Sequence, residues 1–215
     1  MSFSLFETIR RIVREELGRI RTAELAVVQE QHPHADDSDN DNYACTVTLR
    51  DSGIVLKQVP VATARVGMAS IPAVGDLVLI QFLNGDINAP VITGRLYNDE
   101  DRPPVNADGQ MVLHLPLGAE DSDAVHVELT SGDTREALVK LGEGLSLTVK
   151  DDDPVVVLTV DGDKATLQID RDGAVTLESQ GNLQIKGAEI KFEGQTINVE
   201  AQSELNLKGG VVNIN

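Results

Sequence analysis

The C-terminal part of the chain repeats a pair of apolar residues at a short and nearly constant spacing. The pairs are Val125/Val127, Leu145/Leu147, Leu167/Ile169, Val175/Leu177, Leu183/Ile185, Ile190/Phe192, Ile197/Val199, Leu205/Leu207 and Val212/Ile214. From Leu167 onward the first member advances by seven or eight residues, and glycine turns such as Asp172–Gly173 separate the pairs. A short fixed period with glycine corners predicts a β-solenoid or β-prism.

A repeat of this length is too short to enclose a core within one chain. A single-chain solenoid usually needs roughly 20 residues or more per coil. Three chains wound about one axis would instead point the apolar pairs inward and the charged residues outward. The period therefore predicts a homotrimeric triple-stranded β-helix, a β-prism needle, over residues 123–215. The alternative is an ordinary antiparallel meander, whose strands are usually longer and less evenly spaced.

Residues 23–100 have the pattern of several short strands. Tyr43–Arg50 alternates apolar and polar residues, and the turn signals Asp51–Gly53 and Asn84–Asp86 separate apolar runs. About five short strands in so few residues predict a small closed barrel of the OB type. Residues 101–122 are predicted to be an extended connector, because Pro103 and Pro104 stand side by side.

Residues 1–22 are predicted to form a helix with one apolar face. Ser4 followed by Glu7 matches a capping box. The apolar face consists of Phe6, Ile9, Val13, Leu17 and Ile20. A helix this short is marginal in water on its own. We expect this face to dock on another protein or on copies of itself, with packing on its own domain as the alternative.

Charge and composition exclude several function classes. The net charge is −17, although residues 1–21 carry five arginines against three glutamates. An acidic body repels phosphate backbones, so no nucleic acid partner is expected. The chain has no apolar stretch long enough for a transmembrane helix and no secretory signal at its start, so we expect it to be made in a cytoplasm. Its single cysteine, Cys45, is predicted to be a small core residue.

The residues from Ile71 to Asn98 carry a recognisable motif. They follow the pattern P-x-V-G-D-x-V-L-V-x-F-x-x-G-D-x-x-x-P-V-I-x-G-x-L-Y-N closely. This run resembles the OB-fold core of baseplate assembly protein V, which also occurs in the valine-glycine repeat (VgrG) spike proteins of type VI secretion. The motif positions are Gly75, Asp76, Gly85, Asp86, Pro90, Gly94 and Tyr97. We interpret them as residues that specify the barrel and not as an active site.

The resemblance implies a mechanical function. Such a chain would be the homotrimeric central spike at the tip of a contractile tail or injection particle, in a virion baseplate or in a particle assembled in the cytoplasm. The spike would pierce the target cell envelope when the sheath contracts. The N-terminal helix would join a hub protein, and a PAAR-like tip protein would bind the C-terminal end. That end consists of Val211, Val212, Asn213, Ile214 and Asn215.

No constellation of residues predicts catalysis, a metal site or a cofactor. A polar loop combines two histidines with several aspartates: His32, His34, Asp36, Asp37, Asp39 and Asp41. A calcium loop beginning at Asp37 would need glycine and glutamate where the chain has Asn42 and Thr48. We interpret the cluster as a loop between barrel strands and Asp151–Asp153 as a solvated corner. His114 and His126 are treated as isolated residues.

Two other function classes remain open at this point. A receptor- or carbohydrate-binding trimeric tail fibre could also contain a β-prism, although only 3% of the residues are aromatic and sugar-stacking platforms are scarce. An enzyme with an OB domain would need an acid, base or nucleophile constellation. We therefore expect a non-enzymatic protein.

Overall fold

A computed structural model describes residues 5–18 and 20–213, without the side chain of Leu17. These residues form one helix, twelve strands and two short 3-10 turns, so the mainly β class with a short N-terminal helix is confirmed. Helix α1 spans Leu5–Leu17. The predicted cap Ser4 and the last two residues of the predicted tip, Ile214 and Asn215, lie outside the described part of the chain.

The first five strands form a closed barrel. They are β1 Ala23–His32, β2 Ala44–Leu49, β3 Val55–Pro60, β4 Leu77–Phe82 and β5 Pro90–Leu96. Their order is β3-β2-β1-β4-β5, with antiparallel neighbours throughout. A parallel bridge between Val61 and Ile92 joins the end of β3 to β5. This closure removes the two open edges of the sheet and gives a five-stranded barrel of the OB kind.

The barrel has a core that a single chain completes. Its buried residues are Ala26, Val28, Cys45, Val47, Leu49, Val59, Val78, Ile80, Phe82 and Ile92. Cys45 is fully buried, as predicted, and desolvation raises the pKa of its thiol. Thr46, on the other face of β2, is also buried, and its hydroxyl lies 2.8 Å from Nε2 of His32.

The next seven strands form a second sheet. They are β6 Gln110–Leu115, β7 Val125–Thr130, β8 Glu136–Leu141, β9 Leu145–Lys150, β10 Val156–Val160, β11 Ala165–Ile169 and β12 Val175–Ser179. Each strand pairs antiparallel with the next, so the sheet is a simple meander. Its first strand lies inside the range predicted to be a connector. Met111, Leu113 and Leu115 alternate with polar residues there, which is the pattern of a strand.

The remaining described residues, 180–213, form neither helix nor strand. All of them are exposed. The single chain thus adopts an antiparallel meander over residues 110–179, and the triple-stranded β-helix is not formed by one chain alone. Helix α1 is too short and too polar to cross a membrane, and the described residues contain no other helix that could do so.

Candidate assembly surface

One face of the second sheet consists of three rows that cross all seven strands and are apolar at every position except Ser179. Directly paired residues of antiparallel strands lie on the same face, so the pairing registers define these rows. The central row is Leu113, Val127, Val139, Leu147, Leu158, Leu167 and Leu177. The flanking rows are Met111, Leu129, Ala137, Val149, Val156, Ile169 and Val175, and Leu115, Val125, Leu141, Leu145, Val160, Ala165 and Ser179. We call this surface the apolar face.

The apolar face is uncovered in the single chain. Leu113 is 47% exposed, Leu177 is 55% exposed and Met111 is 64% exposed. The extensive contacts between described strands all lie within one sheet or the other, so the barrel does not cover this face. Soluble monomers rarely expose a contiguous apolar surface of this extent, and such a surface indicates an interface.

The opposite face of the same sheet is largely polar. One of its rows is His114, His126, Lys140, Ser146, Thr159, Thr166 and Glu178. The other continuous row contains both apolar and polar residues: Val112, Glu128, Leu138, Thr148, Val157, Gln168 and Thr176. The sheet is therefore two-sided, with one face suited to water and one suited to burial.

The C-terminal segment continues the apolar pattern without a sheet. Phe192 is 67% exposed and Val199 is 65% exposed, and the other pairs of residues 181–213 are exposed as well. Among the described residues, no backbone-to-backbone hydrogen bond joins this segment to itself or to the sheet beyond Gln180. An extended chain that presents both its backbone and its apolar side chains offers pairing positions to other chains.

Helix α1 also exposes its apolar face. Phe6 is 64% exposed, and Ile9 and Val13 are each 50% exposed. The guanidinium of Arg10 lies 4.7 Å from the centre of the Phe6 ring. Leu5 and Ile12 are also exposed and broaden the apolar face beyond the residues predicted for it. The three- and four-residue spacing that predicts the face could also have identified them. Ile20 lies outside the helix beside Gly85, where an added Cβ would come 2.7 Å from Cγ2 of Ile20.

The motif residues of the barrel lie at its turns and strand ends. Gly75 and Gly85 have positive φ angles of 97° and 75°, which glycine adopts without strain. The Asp76 carboxylate accepts a hydrogen bond from the backbone N–H of Ala73 at 2.8 Å.

The other motif residues lie along β5 and just before and after it. The Asp86 carboxylate accepts a bond from the backbone N–H of Asn88 at 2.9 Å. Pro90 begins β5, and Gly94 lies on the same strand, opposite a register shift in β4. Tyr97 follows β5 and is 58% exposed. These positions are consistent with a role in shaping the barrel.

The predicted tip residues have no partner within the described chain. Val211 is 80% exposed and Val212 is 50% exposed, and Asn213 is exposed too. Their surface therefore resembles the rest of the C-terminal segment, and the predicted docking of a tip protein there stays a prediction.

The polar loop before β2 is organised around a single carboxylate. Asp39 accepts hydrogen bonds from the backbone N–H groups of Ala35, Asp36 and Asp41, and it also contacts Nδ1 of His34 at 3.0 Å. These bonds, above all that from Asp36, lower the pKa of Asp39 to about 2. Throughout the described residues, no three His, Cys, Asp or Glu side chains are grouped to hold a metal ion.

Two pairs that sequence analysis treated separately are brought together by the sheet. His114 and His126 are direct cross-strand partners, so they are not isolated. Asp151 is more than a solvated corner, because the Nε atom of Arg135 donates to it at 2.6 Å. This hydrogen bond lowers the pKa of the Asp151 carboxyl. The register of the hairpins creates both pairs, and neither has a spacing motif in the sequence.

Comparison with known proteins identifies the barrel. Residues 21–97 match the family model of the type VI secretion system/phage-baseplate injector OB domain. The barrel is therefore similar to the injector OB domain of this family. Over 75 residues the chain is 35% identical to the type VI secretion system spike protein VgrG1a of Pseudomonas aeruginosa, covering 34% of this chain and 10% of that protein.

A second relative supports the same assignment. Over 43 residues the chain is 44% identical to the actin cross-linking toxin VgrG1 of Vibrio cholerae, which covers 20% of this chain and 4% of that protein. The resemblance to baseplate and VgrG spike proteins is confirmed, and this chain is VgrG-like in its barrel. It spans about a tenth or less of the length of these VgrG relatives.

A third similarity is to a protein of another class. The chain is 30% identical over 138 residues to carboxylesterase 20 of Arabidopsis thaliana, covering 59% of this chain and 41% of that protein. Esterases of the α/β-hydrolase kind place their serine nucleophile in a G-x-S-x-G turn between a strand and a helix. The 215 residues contain no such pentapeptide. This similarity therefore identifies no nucleophile in the chain.

Proposed function

We propose that this chain is the homotrimeric central spike of a contractile tail or injection particle, and that it pierces the target cell envelope when the sheath contracts. The observation that carries the proposal is the apolar face, whose rows cross seven strands and whose members are exposed or half-buried in the single chain. The injector OB domain over residues 21–97 supports the choice of particle.

Three copies of the chain would cover the apolar face and pair the open strand edges more completely than two copies. Two sheets stacked face to face would cover the apolar rows, but the outer edges of β6 and β12 would remain open. Three sheets arranged around an axis would cover the rows and bring each open edge beside a neighbouring sheet. The polar rows would then face water, which matches the net charge of −17.

The same arrangement accounts for residues 181–213. Each chain would supply one strand of every coil, and the chains would satisfy one another's backbone groups in a triple-stranded β-helix. Full burial of a Leu, Ile or Val side chain stabilises by about 1.5–3 kcal/mol. The repeated pairs would therefore make a strongly held and stiff needle, and stiffness is what a piercing element requires.

The two ends of the chain would bind different partners. Helix α1, with Phe6 and Ile9 exposed, would dock on the hub of the particle. The C-terminal end, residues 211–215, would receive a tip protein of the PAAR type. No residue is assigned a catalytic role, and we propose that the spike acts only mechanically.

Complementation of a particle that lacks this chain tests the proposal. The wild-type chain should restore particles with a density at the tip and should restore delivery into target cells. Leu158→Asp, which places a charge in the central apolar row, should restore neither. Thr159→Asp changes the polar face of the same strand and serves as the matched control. Intact, active particles that contain the Leu158→Asp chain would refute the proposal.

A further inference from the structure

Two histidines face each other on the polar side of the first hairpin of the sheet. His114 in β6 and His126 in β7 are direct cross-strand partners. Their Nδ1 atoms are 3.3 Å apart, and the rings meet edge to face with centroids 5.6 Å apart. Both side chains are half-buried.

The outer nitrogen of each ring lies beside an acceptor. Nε2 of His114 is 2.9 Å from the backbone carbonyl oxygen of Ala119. A carbonyl oxygen can only accept, so this Nε2 atom carries a proton and the Nδ1 atom of the neutral ring keeps a free lone pair. Nε2 of His126 lies 3.5 Å from a carboxylate oxygen of Glu128, which favours a proton on Nε2 in the same way.

Glu128 is held in place for this role. Its other oxygen accepts hydrogen bonds from the side-chain amide of Gln110 at 2.8 Å and from the hydroxyl of Thr130 at 3.1 Å. Lys140, the partner of His126 on β8, is the charged residue of the histidine row nearest the pair, and its charge is opposite to that of Glu128 in the adjacent row. With both Nε2 atoms directed at acceptors, each Nδ1 atom has a lone pair that points toward the other ring, where it can bind a metal ion.

The distance between the Nδ1 atoms suits a metal ion. A tetrahedral zinc ion binds imidazole nitrogen at about 2.0–2.1 Å, which places two such nitrogens about 3.3–3.4 Å apart. Histidine ligands of metals almost always donate their other N–H group to a carbonyl or a carboxylate. Both features are present in this pair.

We propose that His114 and His126 bind a divalent transition metal ion such as Zn²⁺ through their Nδ1 atoms, with water completing the coordination. Two protein ligands give a weaker site than the four of a structural zinc site. The ion would fasten the edge strand β6 to β7 at the start of the sheet. Sequence analysis expected no metal here, because only the hairpin register brings the two residues together. The site does not depend on the proposed spike function.

Titration of the untagged, chelator-treated full-length protein with ZnCl₂ tests the site. Calorimetry should show one ion per chain, and acidification should release it because protons compete for imidazole nitrogen. His114→Gln and His126→Gln should each weaken binding at least tenfold. His34→Gln is the matched control, since it removes another of the four histidines and should leave binding unchanged.

Imidazole ¹⁵N spectra of the wild-type protein provide a readout that needs no variant. Zinc should shift the Nδ1 signals of both residues while Nε2 stays protonated. Absence of zinc binding to the wild-type protein would overturn the proposal. Binding that survives in both glutamine variants would overturn it as well.

Discussion

The barrel and the second sheet use the same residue types at the same two-residue spacing, yet only the barrel buries them. Val78 and Ile80 in the barrel are fully buried, whereas Leu113 in the sheet is 47% exposed. The barrel closes through the bridge between Val61 and Ile92, while β6 and β12 remain open edges. Alternation determines which residues share a face, and closure determines whether one chain can cover that face.

The largest effect on assembly is expected from a substitution in the central apolar row of the sheet. Leu158→Asp should abolish the proposed trimer, because each copy would bring an unpaired carboxylate into its interior at a cost of several kcal/mol. Thr159→Asp, on the polar face of β10, should assemble like the wild-type protein. Sedimentation velocity measures both variants. If the Leu158→Asp variant assembled to the same size as the wild-type protein, the apolar face would not be the interface.

A core truncation in the barrel should act within one chain. Ile80→Ala should lower the free energy of unfolding of the barrel by about 2–5 kcal/mol through lost burial and a residual cavity. This loss of barrel stability should not depend on protein concentration. The effect of a substitution on the apolar face of the sheet should depend on it, because that face is proposed to bind other copies. Leu83→Ala is the control, since Leu83 is 57% exposed and should change little. Denaturant unfolding at several concentrations measures this, and a concentration-dependent loss for Ile80→Ala would contradict the distinction.

Two glycines test how closely the first hairpin of the sheet is packed. Gly109 and Gly118 have similar φ angles of 76° and 79°, so alanine should cost about 1–2 kcal/mol at either position. At Gly109 the added Cβ would also lie 2.7 Å from the backbone oxygen of Ser131, whereas nothing lies within 4 Å at Gly118. Gly109→Ala should therefore have the lower melting temperature. Equal melting temperatures would show that the contact with Ser131 relaxes freely.

The smallest effect is expected in the polar loop of the barrel. The pKa of Asp39 is lowered to about 2, so its contribution to loop stability is present above about pH 4 and is lost as the pH falls toward 2. Carboxyl NMR titration should give a midpoint near 2 for Asp39. Asp37, a neighbour in the same loop, is the reference signal. A midpoint near 4 for Asp39 would mean that its backbone hydrogen bonds do not form in solution.

The sequence predicted the barrel better than the sheet for physical reasons. The motif between Ile71 and Asn98 and the alternation of Tyr43–Arg50 are local signals, and local turns determine most of the barrel. The adjacent prolines Pro103 and Pro104 predict an extended connector over residues 101–122 and hide the short alternation that forms β6. The pairing of His114 with His126 depends on the hairpin register, which no local pattern contains. Residues 181–213 carry a clear period, but in the proposed trimer their pairing partners would belong to other chains.

The mass of the full-length wild-type protein in solution, measured by light scattering across a range of micromolar concentrations, tests the central claim most directly. We predict a constant mass of three times 23.1 kDa, because in the proposed assembly three chains together cover the apolar face. A mass corresponding to one or two chains under these conditions would contradict the account.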